Sequence, residues 1–343
     1  MKAMILKSYN RLVLEDVAEP DVGAGDVLVR VEACGICGSD VHGMDGSSGR
    51  RVPPIIMGHE ASGTVEDVGE AVEGIGRGDR VTFDSTISCG ECWYCRRGMI
   101  NLCENRKVLG VSCDEYRRHG AFAEYVAVPS RIIYPLPADL SFEKAALVEP
   151  VSIAVHAVSL TRVSLNDTAV VVGAGIIGLL TIQALRAAGC GRVAAVDIDA
   201  GKLPLAEKMG AEITLDAGGR DVAAEVPGFT GGRGADIAVD AVGRAAATST
   251  ALACVRKGGR LTLIGNLDAS VPLALQKVVT RQVTLIGSCS SSGEYPDCLD
   301  MIARGDVDVE PLISRVAPLE EGPEWFDRLY RAEKGLLKVI LKP

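Results

Sequence analysis

A glycine-rich turn in the middle of the chain constrains the fold most. The segment TAVVVGAGIIGLLTIQALRAAG passes from a β-branched stretch, Thr168–Val172, through this turn into an apolar helical stretch that ends near Gly189. Gly173, Gly175 and Gly178 form the pattern GxGxxG, which permits a sharp turn, close approach of a pyrophosphate and tight packing of helix on strand. The helix N-terminus then faces the anion. The segment therefore predicts a dinucleotide-binding strand, turn and helix.

An acidic residue supports this prediction. The next predicted strand, 192–196, is followed by Asp197, about 20 residues beyond the glycines, as the dinucleotide fingerprint requires. Its carboxylate is expected to bind the adenosine ribose hydroxyls and to repel a 2′-phosphate, and no arginine follows it directly. NAD is therefore predicted rather than NADP. The predicted cofactor-binding residues are Gly173, Gly175, Ile176, Ile177, Gly178, Asp197, Lys202, Val242 and Gly265.

Further strand-like runs alternate with helical patterns such as 202–209. They cover residues 212–216, 235–240, 259–265 and 282–287. Strands that alternate with helices predict an α/β fold with a doubly wound parallel sheet, a Rossmann domain of six strands. Val242 and Gly265 lie at predicted strand ends, where either the dinucleotide or ordinary loop packing accounts for them.

The length of the chain predicts a second domain. Its 343 residues exceed the size at which a single hydrophobic core usually stops growing. Residues 153–287 are predicted to form the Rossmann domain, and residues 1–152 and 288–343 the other domain, so that the nucleotide domain is an insertion.

Four cysteines predict a metal site in the first domain. Cys89, Cys92, Cys95 and Cys103 lie in CGECWYCRRGMINLC, and this spacing suits tetrahedral coordination of a structural Zn²⁺ by four thiolates. The alternative is a pair of disulfides. The first residues, MKAMILKSYN, lack a long apolar run that would direct export to an oxidising compartment. Reduced thiols and a cytoplasmic location are therefore expected.

Charge and hydropathy exclude two classes of partner. The net charge is -9 and the lysines and arginines are scattered, which argues against binding to nucleic acid or to anionic membranes. No uncharged apolar run reaches the roughly 18 to 20 residues of a membrane span. A small-molecule substrate is the expected partner.

A second set of metal-ligating residues lies in CGICGSDVH, 34–42, and GHEASG, 58–63. Cys37 and His59 offer a thiolate and an imidazole, and Glu60 and Glu149, the latter in VEP, offer carboxylates. Three protein ligands plus water are the ligand count of a catalytic zinc. From spacing alone, Glu60 is equally compatible with a surface carboxylate.

Together these motifs resemble the zinc-dependent medium-chain dehydrogenase family. The resemblance rests on CGICGSDVH, GHEASGTVEDVG, GDRV, the four cysteines, VEP and GAGIIG, in that order over nearly the whole chain. The glutamates of GHE and VEP are similar to those of the polyol branch and its threonine dehydrogenase relatives. The resemblance implies a GroES-like catalytic domain, a Rossmann domain, a cleft between them, and a homo-tetramer or homo-dimer.

The resemblance also implies roles for individual residues. Cys37 and His59 would bind a catalytic zinc with Glu60 as the third ligand, and Glu149 would bind the zinc or hold its water. Ser39 and His42 would pass the proton of the alcohol toward solvent, although His42 is also compatible with a plain surface histidine. The implied activity is oxidation of a secondary alcohol of a polyol or sugar derivative to a ketone, by hydride transfer to NAD.

The substrate remains open at this point. Arg50 and Arg51, in GMDGSSGRRVPP, are expected to be solvated loop charges, although they could reach a phosphate or carboxylate on the substrate. One alternative is a dehydrogenase of L-threonine, because that relative shares the Cys/His/Glu ligand set. An alternative from another class is a zinc- and nucleotide-binding protein without turnover.

Overall fold

The structure is a computed structural model that describes residues 1–112 and 117–343. The chain divides into two compact units. The first comprises Met1–Glu149, Ser292–Gly305 and Val309–Pro343, and the second comprises Pro150–Ser291 and Asp306–Asp308. Within the described ranges, no helix is both long and apolar enough to cross a membrane.

The first unit begins as mainly antiparallel β-structure, and its longest strand carries three valines, which favour extended backbone. Its strands here are β1 (Lys2–Ser8), β2 (Arg11–Asp16), β3 (Asp26–Gly35), β4 (Ile55–Ile56), β5 (Glu60–Val68), β6 (Arg80–Phe83), β7 (Thr86–Ile87), β8 (Lys107–Val108), β9 (Tyr125–Pro129) and β10 (Ile133–Pro135). The helices are α1 (Gly38–Met44), α2 (Phe142–Ala146) and α3 (Val148–Thr161), and the chain enters the second unit within α3.

The second unit is a parallel six-stranded sheet with helices between consecutive strands. Its strands are β11 (Thr168–Val172), β12 (Arg192–Asp197), β13 (Ile213–Asp216), β14 (Ala235–Asp240), β15 (Val255–Leu263) and β16 (Thr284–Gly287). Its helices are α4 (Ile176–Ala187), α5 (Leu203–Lys208), α6 (Val222–Phe229), α7 (Ala245–Cys254) and α8 (Leu275–Arg281). The strand order β13-β12-β11-β14-β15-β16 is the doubly wound order of a Rossmann fold, which confirms the predicted fold class.

One strand of this sheet begins earlier than predicted. The sequence predicts a start at Gly259, whereas β15 begins at Val255. Val255 pairs with Ala235 and Arg260 with Ile237, so the register shifts between these pairs. Gly258, with φ +67°, lies inside this irregular stretch rather than before the strand. The two adjacent glycines therefore mark a distortion within the strand and not its beginning.

The last segments return to the first unit and complete its main sheet. They form α9 (Tyr295–Arg304), β17 (Ile313–Pro318), α10 (Gly322–Tyr330) and β18 (Lys338–Lys342). The sheet has the order β10-β6-β5-β3-β18-β17, and β9 also pairs with β3. Gly35 at the end of β3 lies opposite Glu60 of β5 on one side and Ile340 of β18 on the other. This register brings the start of β18 close to the start of β5.

Candidate metal and nucleotide sites

Three of the predicted ligands meet at one point of the first unit. Cys37 is the N-cap of α1, His59 immediately precedes β5, and Glu60 is the first residue of β5. Their ligand atoms all lie within 4.8 Å of one another, and both His59 and Glu60 are buried. A thiolate, an imidazole and a carboxylate form a donor set that suits zinc with one coordination position left open. The residues present therefore fit the predicted catalytic metal.

The outer contact of His59 strengthens this fit. Its Nδ1 atom faces Oδ2 of the fully buried Asp40 at 3.4 Å, and neither atom has a closer hydrogen-bond partner in the part of the chain that the structure describes. A carboxylate behind one ring nitrogen is the usual support of a metal-binding histidine, because it orients the ring and directs the other nitrogen at the metal. Asp40 was not among the predicted site residues.

Glu149 lies beside this cluster but is not one of the three grouped ligands. It is in the first turn of α3, and its Oε1 atom is 3.5 Å from the Ser85 hydroxyl. Burial raises the pKa of Glu149 to about 7. His59 opposes this shift, whereas the negative charges of Glu60 and Asp84 add to it. A carboxyl with such a pKa exchanges a proton readily near neutral pH.

Glu60 has a buried cationic partner that sequence analysis missed. The ammonium of Lys338 lies 2.8 Å and 2.5 Å from the two carboxylate oxygens of Glu60, and it also donates to the carbonyl of Ile36 at 3.1 Å. The side chains of Lys338 and Glu60 are 2% and 1% exposed. A Cβ atom at Gly35 would lie 2.4 Å from Glu60 Oε2, so the glycine leaves room for the pair. The alternative of a surface carboxylate at Glu60 is therefore wrong.

The two predicted relay residues lie on α1, three residues apart and hence on the same side of the helix. Ser39 is half-buried, and His42 is exposed. The sequence led us to expect that the neighbouring Arg51 is a solvated loop charge, and this expectation is wrong. Its side chain is 2% exposed and contacts Ser39 and Asp40.

Two further buried polar groups near Glu149 could not be predicted from the sequence. Oδ2 of Asp84 and the hydroxyl of Tyr295 are buried without a hydrogen-bond partner among the described residues. Burial raises the pKa of Asp84 to about 7 and also raises the pKa of Tyr295. Neither residue belongs to a recognisable motif, and their burial is visible only in the folded chain.

The four predicted thiols of the cysteine loop, residues 89–103, also come together. Their sulfur atoms lie within 4.8 Å of one another, and the described cysteines form no disulfide. Cys89 and Cys95 are 4.0 Å apart, close to the ~3.8 Å between two sulfurs on one tetrahedral zinc. Backbone N–H groups donate to Sγ of Cys89 and Cys103, and such bonds help to lower the pKa of Cys92 to about 6. These residues fit a closed zinc site.

The glycine turn of the second unit leaves an open space at the N-terminus of α4. A Cβ atom at Gly178 would lie 1.7 Å from the carbonyl oxygen of Gly173, so only glycine permits this packing. At Gly175, the N-cap of α4, a Cβ atom would meet nothing within 4 Å. The first turn of α4, including Ile176 and Ile177, presents its free N–H groups there. The turn therefore fits a pyrophosphate.

Asp197 ends β12 next to this turn. Its Oδ2 atom accepts from the N–H of Ala174 at 2.7 Å, and Oδ1 accepts from the N–H of Asp199 at 2.8 Å. Each carboxylate oxygen retains capacity for a further hydrogen bond, so Asp197 is fixed in place and still able to bind a ribose. Lys202 ends a short 3-10 turn that follows Asp199.

Val242 and Gly265 each lie two residues beyond the end of a strand, β14 and β15 respectively. A Cβ atom at Gly265 would lie 2.1 Å from the carbonyl carbon of Val242, and one at Gly173 would lie 2.5 Å from Val242 Cγ2. The predicted positions 173, 242 and 265 thus form one closely packed edge of the sheet. Such an edge, at the carboxyl ends of the strands, is where a doubly wound sheet binds its ligand.

Comparison with known proteins agrees with both units. Residues 23–138 match the family described as alcohol dehydrogenase GroES-like domain, and residues 177–304 match the one described as zinc-binding dehydrogenase.

Individual proteins resemble the whole chain. Sorbitol dehydrogenase of Bacillus subtilis (strain 168) is 32% identical over 100% of this chain and 97% of its own length. D-arabitol-phosphate dehydrogenase of Enterococcus avium is 33% identical over 97% and 94%. The solved structure of a zinc-binding dehydrogenase from Sinorhizobium meliloti 1021, bound to NADP, has a TM-score of 0.93 at 34% identity and covers 100% of this chain and 99% of that one.

Proposed function

The chain belongs to the zinc-type alcohol dehydrogenase family, whose oxidoreductases use zinc and a nicotinamide dinucleotide, and we propose that it oxidises a secondary alcohol of a polyol or sugar derivative to a ketone. The observation that carries the proposal is the meeting of Cys37, His59 and Glu60 within 4.8 Å. Glu149 in VEP supports the polyol class, as do the relatives named for sorbitol and arabitol phosphate. The balanced reaction takes up NAD⁺ and a secondary alcohol and releases NADH, a ketone and a proton.

Cys37, His59 and Glu60 would hold the proposed catalytic zinc. A zinc ion held there supplies Lewis acidity, which stabilises negative charge on an alcohol oxygen. Asp40 orients His59, and Lys338 fixes the carboxylate of Glu60. Glu149, with a pKa near 7 and within 3.5 Å of the Ser85 hydroxyl, is placed to accept a hydrogen bond from a water or a substrate hydroxyl.

The proposed path of the proton begins at Ser39. Its half-buried hydroxyl accepts the proton of the substrate hydroxyl while it passes its own proton toward His42. His42 is exposed on the same side of α1, so its imidazole is able to release a proton to solvent.

The second unit provides the proposed binding site for NAD. A bound NAD⁺ would supply the acceptor for the hydride of the carbinol carbon. The N–H groups at the start of α4 bind the pyrophosphate, and the carboxylate of Asp197 binds the ribose hydroxyls and disfavours a 2′-phosphate. NAD is therefore proposed as the preferred cofactor, although the relative from S. meliloti binds NADP.

A substrate panel tests the proposal. NADH formation is followed at 340 nm with polyols, polyol phosphates, sugar acids and L-threonine, with and without a zinc chelator. We expect chelator-sensitive turnover of a polyol or a sugar derivative. Turnover of threonine alone would move the protein to the amino-alcohol branch, and turnover of neither class would refute the substrate assignment.

One variant tests the metal assignment. Cys37→Ala should abolish turnover while NADH binding, measured by fluorescence titration, remains nearly unchanged, because the cysteine lies in the first unit and the nucleotide turn in the second. Unchanged turnover would remove this metal from the mechanism.

For the assembly, we propose a homo-oligomer built through the edge strand β16. β16 pairs with β15 on one side, and no strand within the described ranges pairs with its other edge. Leu275 and Val279 of the adjacent α8 are 65% and 68% exposed, an unusual exposure for aliphatic side chains. Light scattering should give two or four times the 36.0 kDa of one chain, and Val279→Asp should lower that mass. A monomer would refute the proposal.

For the location, we propose the cytoplasm. The two proposed zinc sites depend on thiolates, and a reducing compartment keeps thiols from forming disulfides.

A further inference from the structure

Arg51 is a buried cation next to the proposed proton relay. Its guanidinium donates from Nε and Nη2 to Oδ1 of Asp40, at 3.2 Å and 2.7 Å. Nη2 also donates to the Ser39 hydroxyl at 3.2 Å. A buried arginine requires such partners, because an unpaired charge is strongly disfavoured away from water.

The local structure makes room for this arginine. A Cβ atom at Gly43 would lie 2.3 Å from Arg51 Cγ, so the glycine lets the arginine stem cross α1. Asp40 anchors the guanidinium through one carboxylate oxygen and faces the His59 ring with the other. One buried carboxylate therefore holds Arg51 and also faces a proposed metal ligand.

The contact with Arg51 determines how the Ser39 hydroxyl is used. A guanidinium has only donors, so the Ser39 oxygen must accept this hydrogen bond. A serine hydroxyl has two lone pairs and one proton, and the contact leaves one lone pair and the proton available. A hydroxyl in a proton relay needs one lone pair to receive the proton of the substrate and one proton of its own to pass onward.

From this geometry we infer that Arg51 is a positioning residue for the proton relay: it holds the Ser39 hydroxyl in the orientation that accepts the proton of the alcohol. The inference rests on the proposed function, in which Ser39 receives that proton. Arg51 itself does not touch the substrate. Its guanidinium acts on the reaction through the hydroxyl that it orients.

The suitable variant is Arg51→Lys. Removal of the charge, as in Arg51→Ala, would leave Asp40 buried without its partner and endanger folding. Lysine keeps the positive charge, but it lacks the planar fork that reaches Asp40 and Ser39 together. Arg50→Lys is the matched control, because Arg50 is the adjacent arginine and is exposed.

The test is a double-mutant cycle on kcat with Arg51→Lys, Ser39→Ala and the combined variant. Loss of a hydrogen bond from a charged donor corresponds to about a 10- to 100-fold decrease, so we expect Arg51→Lys to lower kcat by that factor and Arg50→Lys to leave it unchanged. In the Ser39→Ala background, Arg51→Lys should have no further effect, because the hydroxyl that it orients is gone. KM for NAD⁺ should stay the same throughout.

A second readout separates relay from metal binding. With cobalt in place of zinc, the visible absorption spectrum reports the metal ligands, and it should be the same for Arg51→Lys and the unmodified enzyme. An equal decrease of kcat in both backgrounds, or a changed cobalt spectrum, would overturn the inference and leave the proposed function standing. If Ser39→Ala itself had no effect on kcat, the proposed relay would fail, and the inference with it.

Discussion

The buried pair of Lys338 and Glu60 allows a quantitative prediction for Lys338→Met. Burial lowers the pKa of Lys338, but the charges of Glu60 and Cys37 outweigh it and raise the pKa above its ordinary value. The ammonium is therefore charged at neutral pH. Methionine fills a similar volume but leaves the carboxylate of Glu60 and the carbonyl of Ile36 without their donor.

The decrease in the free energy of unfolding depends on the protonation of the buried carboxylate. A buried glutamate without a cation takes up a proton. An ordinary glutamate has a pKa of about 4.3, so its protonation costs about 3.7 kcal/mol at pH 7 and about 1 kcal/mol at pH 5. The unpaired carbonyl of Ile36 adds about 1 kcal/mol. The expected decrease in the free energy of unfolding is about 4 to 5 kcal/mol at pH 7 and about 2 kcal/mol at pH 5.

The sign of the pH dependence is specific to this mechanism. In the variant, the folded state holds a neutral carboxyl, whereas the unfolded state releases the proton above about pH 4.3. The stability of the variant relative to the unmodified protein therefore decreases as the pH rises from 5 to 7. A mere packing defect would give the same decrease at both pH values.

Tryptophan fluorescence during urea unfolding of the chelator-treated protein is the appropriate assay. The two tryptophans, Trp93 and Trp325, both lie in the first unit, so the signal reports the unit that contains the pair. Lys342→Met is the matched control on the same strand. Lys342 contacts Glu143 at 3.0 Å, but the two side chains are 44% and 26% exposed, so its loss should cost less than about 1 kcal/mol. A Lys338→Met effect no larger than that of the control, or one independent of pH, would refute the reasoning.

Three other perturbations test the remaining sites. Asp197→Ser should lower the ratio of kcat/KM for NAD⁺ to kcat/KM for NADP⁺ by about tenfold or more, because the variant loses a carboxylate that repels a 2′-phosphate. The control variant Asp199→Ser should leave this ratio unchanged. An unaltered ratio in Asp197→Ser would contradict the proposed role of Asp197. Cys92→Ser should lower the zinc content by one ion per chain in elemental analysis, whereas a full complement would exclude a four-sulfur site. Burial opposes ionisation of Asp236, but the hydrogen bond from Arg256 helps to lower its pKa to about 2. Asp236→Asn should therefore destabilise the second unit by about 2 kcal/mol at pH 7, and the difference should vanish as the pH falls from about 5 to 2, as followed by circular dichroism; a difference independent of pH would contradict this prediction.

Much of the second unit was predictable because its signals are local. The strand Thr168–Val172, the GxGxxG turn and the helix that follows are one contiguous segment, and the steric reason for Gly178 lies within that segment. The strand order of the sheet then follows the common doubly wound connection. The start of β15 was wrong by four residues, because adjacent glycines inside a strand resemble a strand boundary.

The candidate ligands that meet in the first unit were predictable, but their supporting residues were not. Cys37 and His59 belong to short motifs of recognisable chemistry, whereas Lys338 lies in a sequence that resembles any exposed strand end. Arg51 was expected in solvent, because an arginine in a polar loop is usually solvated. Its burial depends on a glycine of another segment, Gly43, and on the carboxylate of Asp40. Such partnerships appear only when segments distant in sequence are brought together.

The separation of Glu60 and Lys338 in the sequence affects how the protein folds during its synthesis. Lys338 follows Glu60 by 278 residues, and translation at about 5 to 20 residues per second spans that interval in about 15 to 55 seconds. During this time the nascent first unit contains Glu60 but lacks both β18 and the ammonium that neutralises the carboxylate. The second unit emerges meanwhile almost as one contiguous stretch and is free to fold on the ribosome. The proposed catalytic metal site is therefore completed only after β18 has been synthesised.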